Sequence, residues 1–282
     1  MSEQLRTRSR NSPTLRIPAS GAEFAYREFG TQAGIPLVVL THLGANLDSW
    51  DPRIVDGLVE DRRVIAVGYR GVGNSTGHVR DSIEEMAEDM AAVIRALGYN
   101  RVDIFGLSMG GMVAQAIASR APELIDRLIL AGSGPAGGPR LTEMTRVTIA
   151  TVLRAVLTFQ DPKALLFFTR TSAGKKAARE YLARLKERTA GRDKAVTPRV
   201  YRAQLAAVRR WGMQQPAALS QFTGPVLIVH GNSDRMVPPE NATALTRQLP
   251  SASVMLFPDS GHGVVFQNHH VFIDAARDFL RR

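Results

Sequence analysis

Cysteine is absent from the 282-residue sequence, so disulfide bonds, thiol nucleophiles and cysteine-based metal sites are excluded. The chain also lacks any unbroken run of about 18 to 20 apolar residues, which a membrane-spanning helix needs. Its first twenty residues contain four arginines but no apolar segment of the kind that marks a secretory signal. We therefore expect a cytoplasmic protein that has no membrane partner.

Acidic residues are scarce in one part of the chain. Residues 140–215 contain 17 Lys and Arg against 5 Asp and Glu, a net charge of +12, whereas the remaining residues together carry −2. This segment could form an anion-attracting surface or a set of amphipathic helices with solvated basic faces, and we favour the second interpretation. The sequence has no helix-turn-helix, zinc-finger or RNP-type signature, so we expect no nucleic-acid partner.

The stretch from Arg101 to Arg120 reads as a buried strand, a sharp turn and a helix, with Ser108 at the turn. β-branched, aromatic and aliphatic residues suit the strand, whereas alanine and methionine suit the helix. Gly106 and Gly110 complete a G-x-S-x-G pattern, in which glycines let the strand and helix backbones approach closely. The turn fits a nucleophilic serine, although a tight turn with an N-capping serine would look the same.

Strands and helices alternate along most of the sequence, which indicates right-handed βαβ units and a mainly parallel sheet. The predicted strands are 23–29 (an edge strand), 36–40, 63–69, 102–107, 128–131, 224–231 and 253–257. The alternation stops at a cluster of Gly and Pro, after which only helical patterns occur. We therefore predict a flexible segment over 1–20, an α/β core over 21–133 and 220–282, and an inserted helical cap over 134–219.

Two further polar residues, Asp234 and His262, each follow a predicted strand. Open α/β sheets bind ligands at the carboxyl ends of their strands, so we expect Ser108, Asp234 and His262 to meet there. A serine hydroxyl needs a base; His262 can take and return its proton, and Asp234 can orient the imidazole. Asp259 is closer to His262 in sequence, but it lies in a Pro-Asp turn where Asp commonly organises the backbone. Asp234 is therefore preferred.

The motifs together resemble the α/β-hydrolase fold family, in its serine-esterase and cofactor-free haloperoxidase-like branch, from about Gly21 onward. The matching pieces are Gly106–Gly111, the turn at His42, Arg70–Ser75, His230–Pro238 and Asp259–Gly263. The resemblance implies an α/β fold whose mainly parallel sheet has helices on both faces and an inserted helical cap. It also implies catalysis without a metal ion or an organic cofactor. The six histidines show no H-E-x-x-H zinc pattern, in keeping with that expectation.

The resemblance further implies an oxyanion hole made of two backbone N–H groups. One belongs to Met109, directly after Ser108, and the other to the turn His42-Leu43-Gly44. Leu43 is the preferred second donor, with Gly44 as the alternative. Trp50 follows the same turn and could line the pocket or pack in the core.

The resulting hypothesis is a serine hydrolase that cleaves a carboxylic ester, or a related acyl bond, of a small molecule through an acyl-enzyme on Ser108. Perhydrolase or cofactor-free haloperoxidase activity and C–C bond hydrolysis are alternatives on the same three residues. A non-catalytic small-molecule receptor on the same scaffold is the alternative of another class. Dehalogenases and epoxide hydrolases of this fold carry Asp where this chain has Ser108, which argues against both.

Overall fold

A computed structural model describes residues 10–31, 33–216, 219, 221–249 and 251–282. One sheet of eight strands, in the order β1-β2-β4-β3-β5-β6-β7-β8, runs through the molecule. The strands are β1 (Leu15–Ala19), β2 (Ala22–Phe29), β3 (Leu37–Leu40), β4 (Val64–Val67), β5 (Val102–Leu107), β6 (Ile125–Ala131), β7 (Val226–Gly231) and β8 (Ala252–Phe257). The helices are α1 (Pro52–Leu58), α2 (Ile83–Ala96), α3 (Met109–Arg120), α4 (Met144–Leu157), α5 (Pro162–Phe167), α6 (Ser172–Arg184), α7 (Pro198–Met213), α8 (Glu240–Gln248), α9 (Val264–Gln267) and α10 (His269–Arg281).

The predicted α/β fold with a mainly parallel sheet is confirmed. Strands β3 to β8 pair in parallel, and only β2 pairs antiparallel, with β1 and with β4. Every residue of β3, β4, β5 and β7 is buried. Such continuous burial is typical of parallel strands that are covered by helices on both faces. The carboxyl ends of these strands therefore meet at one protected edge.

Two expectations about the start of the chain are wrong. Strand β1 lies inside the segment 1–20 that was predicted to be flexible, and β2 is not an edge strand because β1 pairs with its outer side. The cause is a two-residue turn at Ser20 and Gly21, which both have positive φ (49° and 74°). Turns of this kind fold a chain straight back into a hairpin. Residues 1–9 of that prediction lie outside the described residues.

Capping side chains mark the starts of two helices. Asp51 accepts a hydrogen bond from the amide of Arg53, and Pro52 occupies the first position of α1. Ser82 accepts a hydrogen bond from the amide of Glu85 at the start of α2. Side-chain acceptors of this type satisfy amides that have no partner inside the helix.

Helices α4 to α7 follow one another between β6 and β7, which are neighbours in the sheet. These four helices therefore form one excursion, which leaves the sheet at the carboxyl end of β6 and returns to the adjacent strand position. Within the described ranges, no helix has the length and apolar character to cross a bilayer. The limits of a separate cap over 134–219 stay a prediction.

Candidate active site

Ser108 lies on a strained turn between β5 and α3. Its φ is 55°, in the left-handed region that L-residues seldom adopt. The turn is possible because strand and helix approach very closely. A Cβ on Gly106 would overlap the backbone of Gly110, and a Cβ on Gly110 would overlap the carbonyl of Leu40. The two glycines of the predicted pattern are therefore needed to place the serine at the carboxyl end of β5.

The structure brings the three predicted residues into one chain of hydrogen bonds. His262 Nε2 lies 2.8 Å from Ser108 Oγ, and His262 Nδ1 lies 2.7 Å from Asp234 Oδ2. All three side chains are buried. Because a carboxylate can only accept, Nδ1–H donates to Asp234, which leaves the lone pair of Nε2 to accept from the serine hydroxyl. The arrangement can move the proton of Ser108 onto His262.

The carboxylate of Asp234 is held in place by its second oxygen. Oδ1 accepts hydrogen bonds from the amides of Met236 (2.8 Å) and Val237 (3.0 Å). His230 donates from Nε2 to the carbonyl of Val237 (2.8 Å), and burial lowers its pKa, so its ring is neutral. The competing carboxylate, Asp259, instead accepts from the hydroxyl of Thr171 (2.8 Å). The orientation of the acid is thus fixed by its own loop.

The turn after β3 presents two successive amides, and only one of them is occupied. The N–H of Gly44 donates to Oε1 of Gln204, on α7, at 2.8 Å. Among the described residues, the amides of Leu43 and Met109 donate to no group. Because the amide of Gly44 already has an acceptor, the amide of Leu43 is the better candidate for the second oxyanion donor. Leu43 is also the donor that the sequence favours.

His42, the first residue of the same turn, is a buried neutral imidazole. Burial lowers its pKa to about 3, even though Nδ1–H donates to the carbonyl of Leu43 (2.8 Å) and so favours the charged form. Its Nε2 has no hydrogen-bond partner within the described part of the chain. His42 therefore braces the turn and carries no charge into the site.

Phe167, at the end of α5, covers His262. Its ring centroid lies 5.7 Å from that of His262 and 4.9 Å from that of His42, which it meets edge-on. Its carbonyl accepts the amide of Gly263 at 2.7 Å. The sequence patterns identified neither Phe167 nor Gln204 as part of the site. Neither residue belongs to a motif, so no local signal could have found them.

A cavity of about 530 Å³ opens beside the turn of His42. Its wall is mainly apolar, with contributions from Phe167 and Met236, and it also includes Lys163, Arg202 and Asp161. Lys163 is close enough for its charge to help lower the pKa of His42, after burial. The cavity can hold a small, largely apolar molecule next to two cationic side chains.

Trp50 does not line this cavity and packs in the core, the other role that the sequence leaves open for it. Its ring packs against Phe105, with the centroids 5.4 Å apart, and is almost fully buried. The short 3-10 helix Leu47–Ser49 separates it from the turn and leads it into the core. Among the described residues, no group of three or more His, Asp or Glu side chains could hold a metal ion.

Comparisons with known proteins identify the family and the fold. A family described as alpha/beta hydrolase fold matches residues 35–269. The pimeloyl-[acyl-carrier protein] methyl ester esterase of Nitrosomonas europaea is 28% identical over 82% of this chain and 90% of its own. A 2-hydroxy-6-oxononadienedioate/2-hydroxy-6-oxononatrienedioate hydrolase of Burkholderia vietnamiensis is 27% identical over 99% and 98%. The structure of an alpha/beta hydrolase fold protein from Chitinophaga pinensis matches with a TM-score of 0.90 and 33% identity, over 96% of this chain and 98% of the other.

Proposed function

Because this chain belongs to the alpha/beta hydrolase fold family, we propose that it is a serine hydrolase that cleaves a carboxylic ester of a small molecule. The observation that carries the proposal is the continuous set of hydrogen bonds from Ser108 Oγ through His262 to Asp234. The relatives named above are themselves an esterase and a hydrolase, which supports hydrolysis as the reaction class.

In the first half of the reaction, Ser108 Oγ attacks the ester carbonyl while its proton passes to His262 Nε2. The carbonyl oxygen becomes an oxyanion, which the amides of Leu43 and Met109 stabilise because they have no other acceptor among the described residues. Asp234 stabilises the imidazolium and remains ionised. The C–O bond then breaks, the leaving alcohol takes the proton from Nε2, and an acyl-enzyme on Ser108 remains.

In the second half, water replaces the alcohol. His262 Nε2 takes a proton from the water as the water oxygen attacks the acyl carbon, and the same two amides hold the second oxyanion. The bond from the acyl carbon to Ser108 Oγ breaks, and His262 returns the proton to that oxygen. The products are a carboxylic acid, an alcohol and the regenerated hydroxyl.

The cavity supports a preference for substrates that carry an anionic group. Lys163 and Arg202 line it beside an otherwise apolar wall, with Asp161 as the acidic neighbour. The Burkholderia relative is named for a dioate, a substrate with two carboxylates. We therefore assign a small acyl chain with a terminal negative charge as the preferred substrate class. KM values that do not differ between acidic and neutral esters would contradict this preference.

A panel of short and medium p-nitrophenyl esters, together with a fluorophosphonate that labels active serines, tests the proposed function. Wild type should turn over at least one ester and gain one phosphonyl group on Ser108, as located by peptide mass spectrometry. Ser108→Ala should lose both properties, and Ser251→Ala, an exposed serine far along the chain, should keep both. Labelling without turnover would instead indicate a receptor, and the absence of both would overturn the proposal.

A further inference from the structure

Helix α4 exposes large apolar side chains and buries two threonines. The exposed fractions are 51% at Ile149, 60% at Leu153, 68% at Val156 and 80% at Leu157, and Phe159, directly after the helix, is 98% exposed. The residues facing inward are Met144, Thr148, Thr151 and Ala155. A helix on the surface of a soluble protein ordinarily has the opposite arrangement. We call the five exposed residues the apolar ridge.

The apolar ridge is continuous because of helical spacing. Ile149, Leu153 and Val156 are separated by four and three residues, and Leu157 is four residues beyond Leu153, so they form one stripe. On the opposite side, the hydroxyl of Thr148 is buried without a hydrogen-bond partner among the described residues. Contiguous exposed apolar surface of this kind marks a contact with another phase or molecule.

Three arginines stand near the C-terminal end of the ridge. Arg154 lies on α4 itself. Arg235 Nη2 donates to the carbonyl of Leu165 (2.9 Å), and Arg170 lines one cavity with Leu165 and with Gln160, the residue after the ridge. All three are exposed. In the part of the chain that the structure describes, none of them forms an ion pair with a carboxylate, whereas Arg146 on the same helix pairs with Glu143 (3.3 Å). We call Arg154, Arg170 and Arg235 the basic cluster.

We propose that the apolar ridge and the basic cluster bind the surface of an anionic lipid bilayer. A helix lying in the plane of the interface buries its apolar side chains about 5 to 10 Å deep, at the boundary of headgroups and acyl chains. Arginines beside it then meet lipid phosphates, which attract basic residues near an anionic surface. The sequence expectation of no membrane partner rested on the absence of a membrane-spanning segment. The proposed contact needs no such segment and departs from that expectation.

A second copy of this chain fits the same surface less well. Symmetric dimers bring identical patches together, so both copies would bring positive charge to the contact, and residues 144–160 contain no Asp or Glu to compensate it. Like charges placed opposite each other oppose association. A lipid surface offers negative charge along its whole extent, which complements the cluster. The same helix also forms part of the cavity wall through Val152, so the bilayer would lie beside the proposed substrate site.

Co-sedimentation of the full-length protein with vesicles tests the proposal without any measurement of activity. Wild type should bind vesicles of phosphatidylcholine mixed with phosphatidylglycerol, bind phosphatidylcholine alone much less, and release as salt is raised. The variants are Leu153→Ser with Leu157→Ser, and Arg154→Gln with Arg170→Gln; each pair should weaken binding about tenfold or more. Leu256→Ser, which changes a leucine that is 57% exposed on β8, should bind like wild type.

A fluorescent variant reports insertion directly. Leu157→Trp places an indole at a position that is 80% exposed, and its emission should shift to the blue on anionic vesicles only. Circular dichroism and light scattering establish that each variant folds and in which oligomeric state. Failure of wild type to bind anionic vesicles would overturn the proposal. A dimer that the Leu153→Ser, Leu157→Ser variant dissociates would overturn it in favour of a second copy.

Discussion

The side-chain carbonyl of Gln204 accepts the amide proton of Gly44 at 2.8 Å, although the two residues are 160 positions apart. Gln204 is fully buried, and Gly44 has a φ of 72°. On the same helix, Tyr201 lies so close that a Cβ on Gly44 would overlap its ring. Helix α7 thereby fixes the turn, in which the preceding amide, that of Leu43, has no partner among the described residues.

Substitution of Gln204 should slow catalysis without weakening substrate binding. Gln204→Leu leaves the amide of Gly44 without its acceptor, so the turn can shift and its amides compete for the oxyanion position. We expect kcat for an activated ester to fall by about tenfold to a hundredfold with KM little changed, since loss of a whole oxyanion donor costs about a hundredfold or more. Arg209→Leu, at an exposed position of the same helix, is the control. An unchanged kcat in Gln204→Leu would show that Gln204 does not position the oxyanion turn.

Asp234→Asn should abolish turnover through the wrong histidine tautomer. Oδ1 of Asp234 accepts two amides, so an asparagine must place its carbonyl oxygen there and its NH₂ group toward His262. The NH₂ group would donate to Nδ1, and the ring proton would move to Nε2, which could then no longer accept from Ser108. We expect kcat to fall about ten-thousandfold. Asp259→Asn is the matched control and should retain activity. If Asp259→Asn lost activity and Asp234→Asn kept it, Asp259 would be the carboxylate that orients His262.

Removal of the Phe167 ring should open the way to His262. We expect Phe167→Ala to react faster than wild type with a bulky fluorophosphonate, because the ring that covers the imidazole is gone. The buried ring also fills core volume, so the free energy of unfolding should fall by about 3 to 5 kcal/mol. Phe168→Ala is the comparison, because that ring is equally buried and packs on Tyr181, whereas the ring of Phe167 also contacts His262. Equal labelling rates in the two variants would mean that Phe167 does not restrict access.

His42 should stay neutral well below the ordinary histidine range. Its pKa in the folded protein is about 3, against an ordinary value of 6.5. Between these values the unfolded chain binds a proton that the folded protein does not, so stability falls as pH falls, by about 1.4 kcal/mol per pH unit from this residue. NMR of histidine-labelled protein should show the Nδ1–H form of His42 at pH 5. The slope of unfolding free energy against pH should be smaller by that amount in His42→Asn.

Ser108, Asp234 and His262 could be placed from the sequence because each follows a strand, and parallel strands deliver their ends to one edge. Gln204 and Phe167 could not be placed in this way, because their positions depend on how α5 and α7 pack against the rest of the molecule. The local sequence does not specify that packing. The outward apolar face of α4 was also unexpected. Periodicity shows which side of a helix is apolar, but not that this side faces solvent. The hairpin at β1 was missed because five residues that include Pro18 give little strand signal.

Because α4 to α7 lie between two adjacent strands, the helices that shape the cavity can vary independently of the strands that carry the three hydrogen-bonded residues. Strands β6 and β7 pair directly, with Leu128 opposite Val226. This pairing does not depend on the length of the helical segment between them. The distances among Ser108, Asp234 and His262 are set by strand ends outside that excursion. A different set of helices could therefore be inserted there, as in a chimera with a relative, to change what is bound while these three residues keep their places, provided that the new helices supply an acceptor for the amide of Gly44 as Gln204 does.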